Sequence, residues 1–226
     1  ANAARAGYRL RDVRAAVAWL AAQPFCNGRV GTFGVSYLGL TAYAAAGGAP
    51  PGLVRSIVPL MASARIFPII FHGDTTLALD LIFRWLWIVL VVQRAHPLQA
   101  LWKVLTPHRQ LKEALDPSHE TPIHARDKLL LGAEFGFFQD VVRANDPKHV
   151  FWLDKDVLCD VADTTKPPPA ISILSGWHDF FNKQSFADFL AASRVSTDAP
   201  LELTVGPWSH WDLGYINAGY CLALKS

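Results

Sequence analysis

Gly28-Arg29-Val30-Gly31-Thr32-Phe33-Gly34-Val35-Ser36-Tyr37-Leu38-Gly39 carries the decisive pattern of the chain. It reads as a strand that runs into a sharp turn with a serine at the apex, followed by an Ala-rich helix over Tyr37 to Ala46. That layout suits a nucleophilic serine. The turn lifts the side-chain oxygen clear of the sheet, and only small neighbours let the backbone bend so tightly. Gly34 is the small residue two positions before Ser36. The helix that follows points its N-terminus at the serine, so the backbone N–H of Tyr37 is the expected donor to a developing oxyanion. Two positions after Ser36 stands Leu38, and the glycine comes one later as Gly39, so the motif is G-x-S-Y-x-G.

A serine hydroxyl needs a histidine to take its proton and a carboxylate to orient that histidine. In α/β-hydrolases the chain order is Ser, then Asp or Glu, then His, each just past a strand end. The sequence offers that order. Ala170-Ile171-Ser172-Ile173-Leu174 is a short apolar, β-branched run that reads as a buried strand. It leads into a glycine-containing loop, Ser175-Gly176-Trp177-His178-Asp179. Leu201-Glu202-Leu203-Thr204-Val205 is a second strand and leads into the loop Gly206-Pro207-Trp208-Ser209-His210. Asp179 is therefore the candidate acid and His210 the candidate base, with Ser36 Oγ expected about 2.6–3.2 Å from the imidazole. The step from Asp179 to His210 fits one helix plus one strand. The step from Ser36 to Asp179 is too long for that and implies an insertion.

The remaining candidates are weaker. The chain has 8 histidines. His96, His108, His119, His124 and His149 lie among charged and proline-broken stretches and read as surface or helix-end residues. His72 reads as a structural loop residue, and His178 as a neighbour of the acid. Asp188 reads as a solvated position on the helix after Asp179, and Asp212 follows His210 in the wrong order. No H-E-x-x-H or C-x-x-C pattern exists, so neither a metal nor a cofactor is expected.

Three segments together carry a resemblance. "GRVGTFGVSYLGLTAYAAA" around Ser36, "SGWHDFF" around Asp179 and "TVGPWSHWDLG" around His210 resemble the signatures of the CocE/NonD (cocaine-esterase-like) hydrolases, relatives of the X-Pro dipeptidyl-peptidases. The Leu38-for-Gly departure is normal for that family. The resemblance implies an α/β-hydrolase fold with Ser36 as nucleophile, Asp179 as orienting acid and His210 as general base. It further implies a small-molecule acyl ester or amide as substrate, with the acyl pocket lined just after the acid, by Phe181. Trp85 and Trp87 are further pocket candidates on the inserted helices. Relatives take a second oxyanion donor, a tyrosine hydroxyl, from an upstream region, and carry a C-terminal β-sandwich. Tyr8 does not match that tyrosine, and the residues after His210 are too few for the sandwich. The chain thus reads as a central fragment, with N-terminal strands of the sheet missing. The alternative reading is a degenerate hydrolase-fold remnant that acts at most as a binding or structural module.

Composition agrees with a core-rich protein: 51% of its 226 residues are hydrophobic and 18% charged. A net charge of +2 without a basic cluster argues against a nucleic-acid partner. Cys26, Cys159 and Cys221 are spread out and read as lone buried thiols. Leu77 to Val92 is interrupted by Asp80 and Arg84, four apart and able to pair on one helix face. Its apolar part falls short of the about 20 residues a membrane span needs, so it reads as a buried or substrate-facing helix. No signal peptide is visible at residue 1, which favours a cytoplasmic setting.

Residues 10–22 read as an amphipathic helix with Val13, Ala16, Val17 and Leu20 on one face, and Val54 to Leu60 as a strand. Residues 1–72 are thus expected to form the first part of a doubly wound parallel sheet. Residues 73–166 read as a helical cap insertion, with helices over Leu77–Arg94, Pro97–Leu105 and Thr121–Asp140. Residues 167–226 read as the second part of the core, holding acid and base.

Overall fold

A computed structural model describes residues 8–92, 109–153, 168–194 and 199–210. Helix α1 spans Tyr8–Ala21, β1 Val30–Val35, α2 Tyr37–Gly48 and β2 Val54–Leu60. Helices α3 (Leu79–Leu86), α4 (Arg109–Leu115), α5 (Asp127–Leu131) and α6 (Gly136–Arg143) follow. Strand β3 (Ala170–His178), helix α7 (Asn182–Ser193) and strand β4 (Leu201–Ser209) come last. Two compact units result. One comprises Ala1–Ile69 with Leu153–Ser226, the other Ile70–Trp152.

In the first unit the strands form one parallel sheet in the order β1-β2-β3-β4. Every parallel connection needs a crossover, and α2 and α7 are two of these. The expected strands at Ala170–Leu174 and Leu201–Val205 both run longer than read. Pairing continues through Gly176↔Gly206 to His178↔Ser209, with a register shift between Gly176 and His178. The glycines therefore lie inside the strands rather than in loops, because backbone pairing carries on where the apolar run stops.

Helix α2 is alanine-rich and buries Ala42, Tyr43, Ala44 and Ala45 along with Gly39 and Gly47. A helix apolar on most sides belongs inside a fold. Its core partners are Val17 of α1, Val54 and Ile57 of β2, and Ile171 and Ile173 of β3. Val13 packs against this cluster, but Ala16 of α1 is exposed, so the buried face of α1 is narrower than expected. Among the described residues β1 pairs only with β2, and Phe33 on it is 80% exposed.

In the second unit the expected helix over Thr121–Asp140 is broken. A 3-10 turn at Ile123–Ala125 precedes α5, which ends at Gly132 in the left-handed conformation (φ 77), and α6 starts afresh at Gly136. Left-handed glycine is the common helix stop. Helix α3 continues into a π-helical stretch, Trp87–Val92. Arg84 donates to both carboxylate oxygens of Asp80 at 2.8 Å, the anticipated i,i+4 pair. A two-stranded antiparallel hairpin pairs Phe71–His72 with Thr76–Leu77, apart from the parallel sheet. The segment Pro97–Leu105 lies outside the described residues, as do Cys159 and Cys221; Cys26 is half-buried. No helix among the described residues is long and apolar enough to cross a membrane.

Candidate active site

Ser36 is the residue between β1 and α2. Its backbone sits at φ 57, ψ −122, a conformation an L-residue adopts only when its surroundings impose it, at a cost of about 1–3 kcal/mol. The surroundings are identifiable. Its N–H donates to Leu60 O of β2 at 2.9 Å, and its carbonyl accepts from the N–H groups of Gly39 (2.9 Å) and Leu40 (3.2 Å). Two glycines permit the bend. A Cβ on Gly34 would lie 2.5 Å from the carbonyl carbon of Leu38, and one on Gly39 would collide with Ala62. The serine side chain makes no capping bond to its own helix; its hydroxyl is engaged elsewhere.

Asp179 follows β3 directly and His210 follows β4. The Ser36 hydroxyl lies 3.0 Å from His210 Nε2, and His210 Nδ1 lies 2.6 Å from Asp179 Oδ2. The other oxygen of Asp179 accepts the Phe181 N–H at 2.6 Å. The Asp179 side chain is fully shielded from solvent and that of His210 nearly so. A carboxylate accepts only, so Nδ1 carries the proton given to Asp179. Nε2 is then left as acceptor for the Ser36 O–H. Three residues distant in sequence thus form one line of hydrogen bonds, hydroxyl to imidazole to carboxylate.

Phe180 and Phe181 pack together to one side of the imidazole, with ring centroids 4.3 and 5.6 Å from that of His210 and 4.7 Å from each other. Phe181 is therefore part of this cluster. Trp85 and Trp87 belong to the helical unit, where Trp87 is buried and Trp85 packs on Phe137 at 5.6 Å between centroids. His119 and His149 make local contacts, accepting from the N–H groups of Thr121 and Phe151. Among the described residues no group of three His, Cys, Asp or Glu side chains is arranged to hold a metal ion.

Sequence reading places Asp188 in solvent, and that is wrong. Its side chain is fully buried, with Oδ2 accepting the Ala64 N–H at 2.8 Å. The available signal is the spacing of Phe181, Gln184, Ser185 and Asp188, which all face inward at i, i+3, i+4 and i+7. The stripe is mostly polar, so a search for apolar periodicity passes over it.

The chain matches the family model of the X-Pro dipeptidyl-peptidases (S15 family) over residues 7–212. It is 30% identical to the cocaine esterase of Rhodococcus sp. (strain MB1 Bresler) over 213 residues, covering 92% of this chain and 35% of that enzyme. Among solved structures it superposes on an aminopeptidase from a marine sediment Thaumarchaeota archaeon with a TM-score of 0.58 at 17% identity. That match covers 89% of this chain and 32% of the other, and it speaks to the fold alone. A carboxylesterase structure from Nitrososphaera gargenis gives a TM-score of 0.48 at 13% identity over 96% of this chain and 71% of its own, too distant to carry weight. The chain thus spans about a third of the length of the first two relatives. A family match across nearly all of its residues, on a parallel sheet with crossover helices, makes this chain a CocE/NonD-like member of the X-Pro dipeptidyl-peptidase (S15) family of hydrolases, built on the α/β-hydrolase fold.

Proposed function

We propose that the chain carries the catalytic centre of a serine hydrolase that cleaves carboxylic esters or amides through an acyl-enzyme on Ser36. The observation that carries this reading is the hydrogen-bonded line from Ser36 Oγ through His210 to Asp179, at 3.0 and 2.6 Å. His210 Nε2 takes the hydroxyl proton as Oγ attacks the acyl carbon. Asp179 holds the imidazole in the tautomer that permits this and stabilises the imidazolium that forms. The Tyr37 N–H, next to the nucleophile at the start of α2, donates to the oxyanion. Collapse of the tetrahedral species breaks the ester or amide bond, and His210 returns the proton to the leaving oxygen or nitrogen. Water then attacks the acyl-enzyme with His210 again as base, releasing the acid and restoring Ser36.

Phe181 lies against the imidazole and offers an apolar wall for the acyl group. Esters are the preferred substrates over peptides, since an alkoxide or phenoxide leaves more readily than an amine. The test is turnover of a short-chain aryl ester and of an X-Pro aryl amide by the protein as its gene encodes it, with and without Ser36→Ala. Ester turnover that disappears in the variant is the expected result. Turnover that survives Ser36→Ala overturns the assignment.

A further inference from the structure

Beyond the three residues in line, the molecule contains a second polar device, linked to Ser36 through Leu60 and Gly39 and to Asp179 through Phe181. The segment Met61–Arg65 leaves β2 immediately after Leu60, whose carbonyl holds the Ser36 N–H. Met61 to Ala64 are all buried, and Met61 takes a positive φ of 47 with its N–H bonded to Leu174 O of β3 at 2.7 Å. On one side this segment meets α2, where Ala62 abuts Gly39. On the other it meets α7, the helix that starts three residues after Asp179. There Ser185 Oγ lies 3.2 Å from Ala62 O, and Asp188 Oδ2 accepts the Ala64 N–H at 2.8 Å. Arg65 Nε lies 4.0 Å from Asp188 Oδ1. The charge of Asp188 is also felt in α2. The hydroxyl of Tyr43 is held in its neutral form well above the ordinary tyrosine range, first by burial and then by the charge of Asp188.

We propose that Asp188, with Ser185 beside it, is a positioning residue that sets Ser36 against the Asp179–His210 pair by clamping the Met61–Arg65 segment onto α7. The proposal rests on the reading of Ser36 as nucleophile. The elbow is tied to this segment through Leu60 O and the Gly39–Ala62 contact, and the acid is tied to α7 through the Phe181 N–H. Asp188 of α7, accepting the Ala64 N–H, closes the loop between them, and the Ser185 hydroxyl sits between Ala62 O at 3.2 Å and Phe181 O at 3.1 Å with one hydrogen to give to either. A buried carboxylate is suited to this because its charge-assisted bond to a backbone N–H is short and stiff. Reacting groups displaced by about 1 Å lose on the order of 100-fold in rate. A clamp of this kind therefore acts on the chemical step and leaves substrate binding alone.

The experiment compares Asp188→Ala, Asp188→Asn and Ser185→Ala with the parent protein and Ser36→Ala. Steady-state kinetics use a short-chain aryl ester, with active sites titrated by a fluorophosphonate. Asp188→Ala is expected to lower kcat about 10- to 100-fold with KM within about twofold. Asp188→Asn keeps an oxygen that can accept the Ala64 N–H and is expected to recover kcat to within roughly threefold of the parent. Ser185→Ala removes one neutral bond and is expected to lower kcat about threefold at constant KM. A parent-like kcat per titrated site in Asp188→Ala, with only the melting temperature reduced, overturns the proposal and makes Asp188 a plain structural strut. Should Asp188→Ala fail to fold, Ser185→Ala decides in the same way: reduced kcat at constant KM supports the clamp, and unchanged kcat overturns it. Turnover surviving Ser36→Ala removes the reading beneath the proposal, an outcome distinct from a parent-like Asp188 variant in a protein that Ser36→Ala inactivates.

Discussion

The sheet unit and the helical unit both bury charged side chains, but they bond them over different distances. In the sheet unit His210 reaches 174 positions back to Ser36, and Asp188 reaches 124 positions back to Ala64. In the helical unit Arg126 donates to the carbonyls of Ala114, Asp116, His119 and Thr121, none more than 12 positions away. Its neighbour Asp127 accepts from Phe135 and from Gln139, 8 and 12 positions on. The first pattern makes a side chain depend on the whole sheet being assembled. The second ties a local run of short helices and turns together. Polar substitutions in the two units should therefore fail differently, one in chemistry and the other in local stability.

The steepest loss belongs to the sheet unit. Asp179→Asn keeps the shape of the side chain but no longer fixes the imidazole tautomer. It should lower kcat for an aryl ester by about 10⁴-fold. The melting temperature should shift by only a few degrees, and an activity loss under tenfold would break the contrast from that side.

In the helical unit Arg126→Met strips four backbone carbonyls of their buried donor. It should destabilise that unit by about 3 kcal/mol. Hydrogen exchange is the proper reading, because the loss should be local. Amides of α4 and α5 should exchange faster while those of β1 to β4 keep their protection. Equal acceleration in both units would show that the helical unit has no local stability of its own.

A smaller effect separates burial from bonding. The Tyr43 hydroxyl is buried and has no hydrogen-bond partner among the described residues. Its pKa is raised in the fold by burial and then by Asp188. The native state thus holds its proton above pH 10, where the unfolded chain releases it, and stability falls as pH rises from about 10 toward the folded value. Tyr43→Phe removes that titration. Its urea midpoint should match or slightly exceed the parent's at pH 7 and exceed it by a growing margin above pH 10. A margin independent of pH would contradict the assignment.

The smallest effect lies on the surface of the helical unit. Lys128 Nζ and Glu134 Oε1 are 2.9 Å apart, with both side chains more than half exposed. The pair lowers the Glu134 pKa and raises that of Lys128. Its contribution is present between the two unfolded values, is lost as pH falls through that of the folded Glu134, and is lost again as pH rises through that of the folded Lys128. Exposed pairs contribute little, so Glu134→Gln should shift the melting temperature by under about 1 °C, and less still in high salt.

The same contrast explains which residues could be read from sequence. Ser36, Asp179 and His210 are legible because each stands just past a β-branched run beside glycines, which is a local signal. Asp188 is read wrongly because the inward stripe it shares with Phe181, Gln184 and Ser185 is mostly polar, so apolar periodicity does not mark it. The strands β3 and β4 extend past their apolar cores because each supplies the other's backbone partners through Gly176 and Gly206. The helix over Thr121–Asp140 fails as a single element for the opposite reason. Gly132 and the hydrogen bonds of Arg126 and Asp127 stop it locally, and helical periodicity across the region hides those stops.

Covalent capture reads the proposed role of Ser36 as nucleophile without an intervening kinetic model. The protein as its gene encodes it is treated with a fluorophosphonate, digested, and mapped by mass spectrometry. A single phosphonate adduct on Ser36, absent after denaturation before treatment and absent in His210→Ala, is the predicted result. An adduct on another serine, or labelling of Ser36→Ala at the parent rate, contradicts the account.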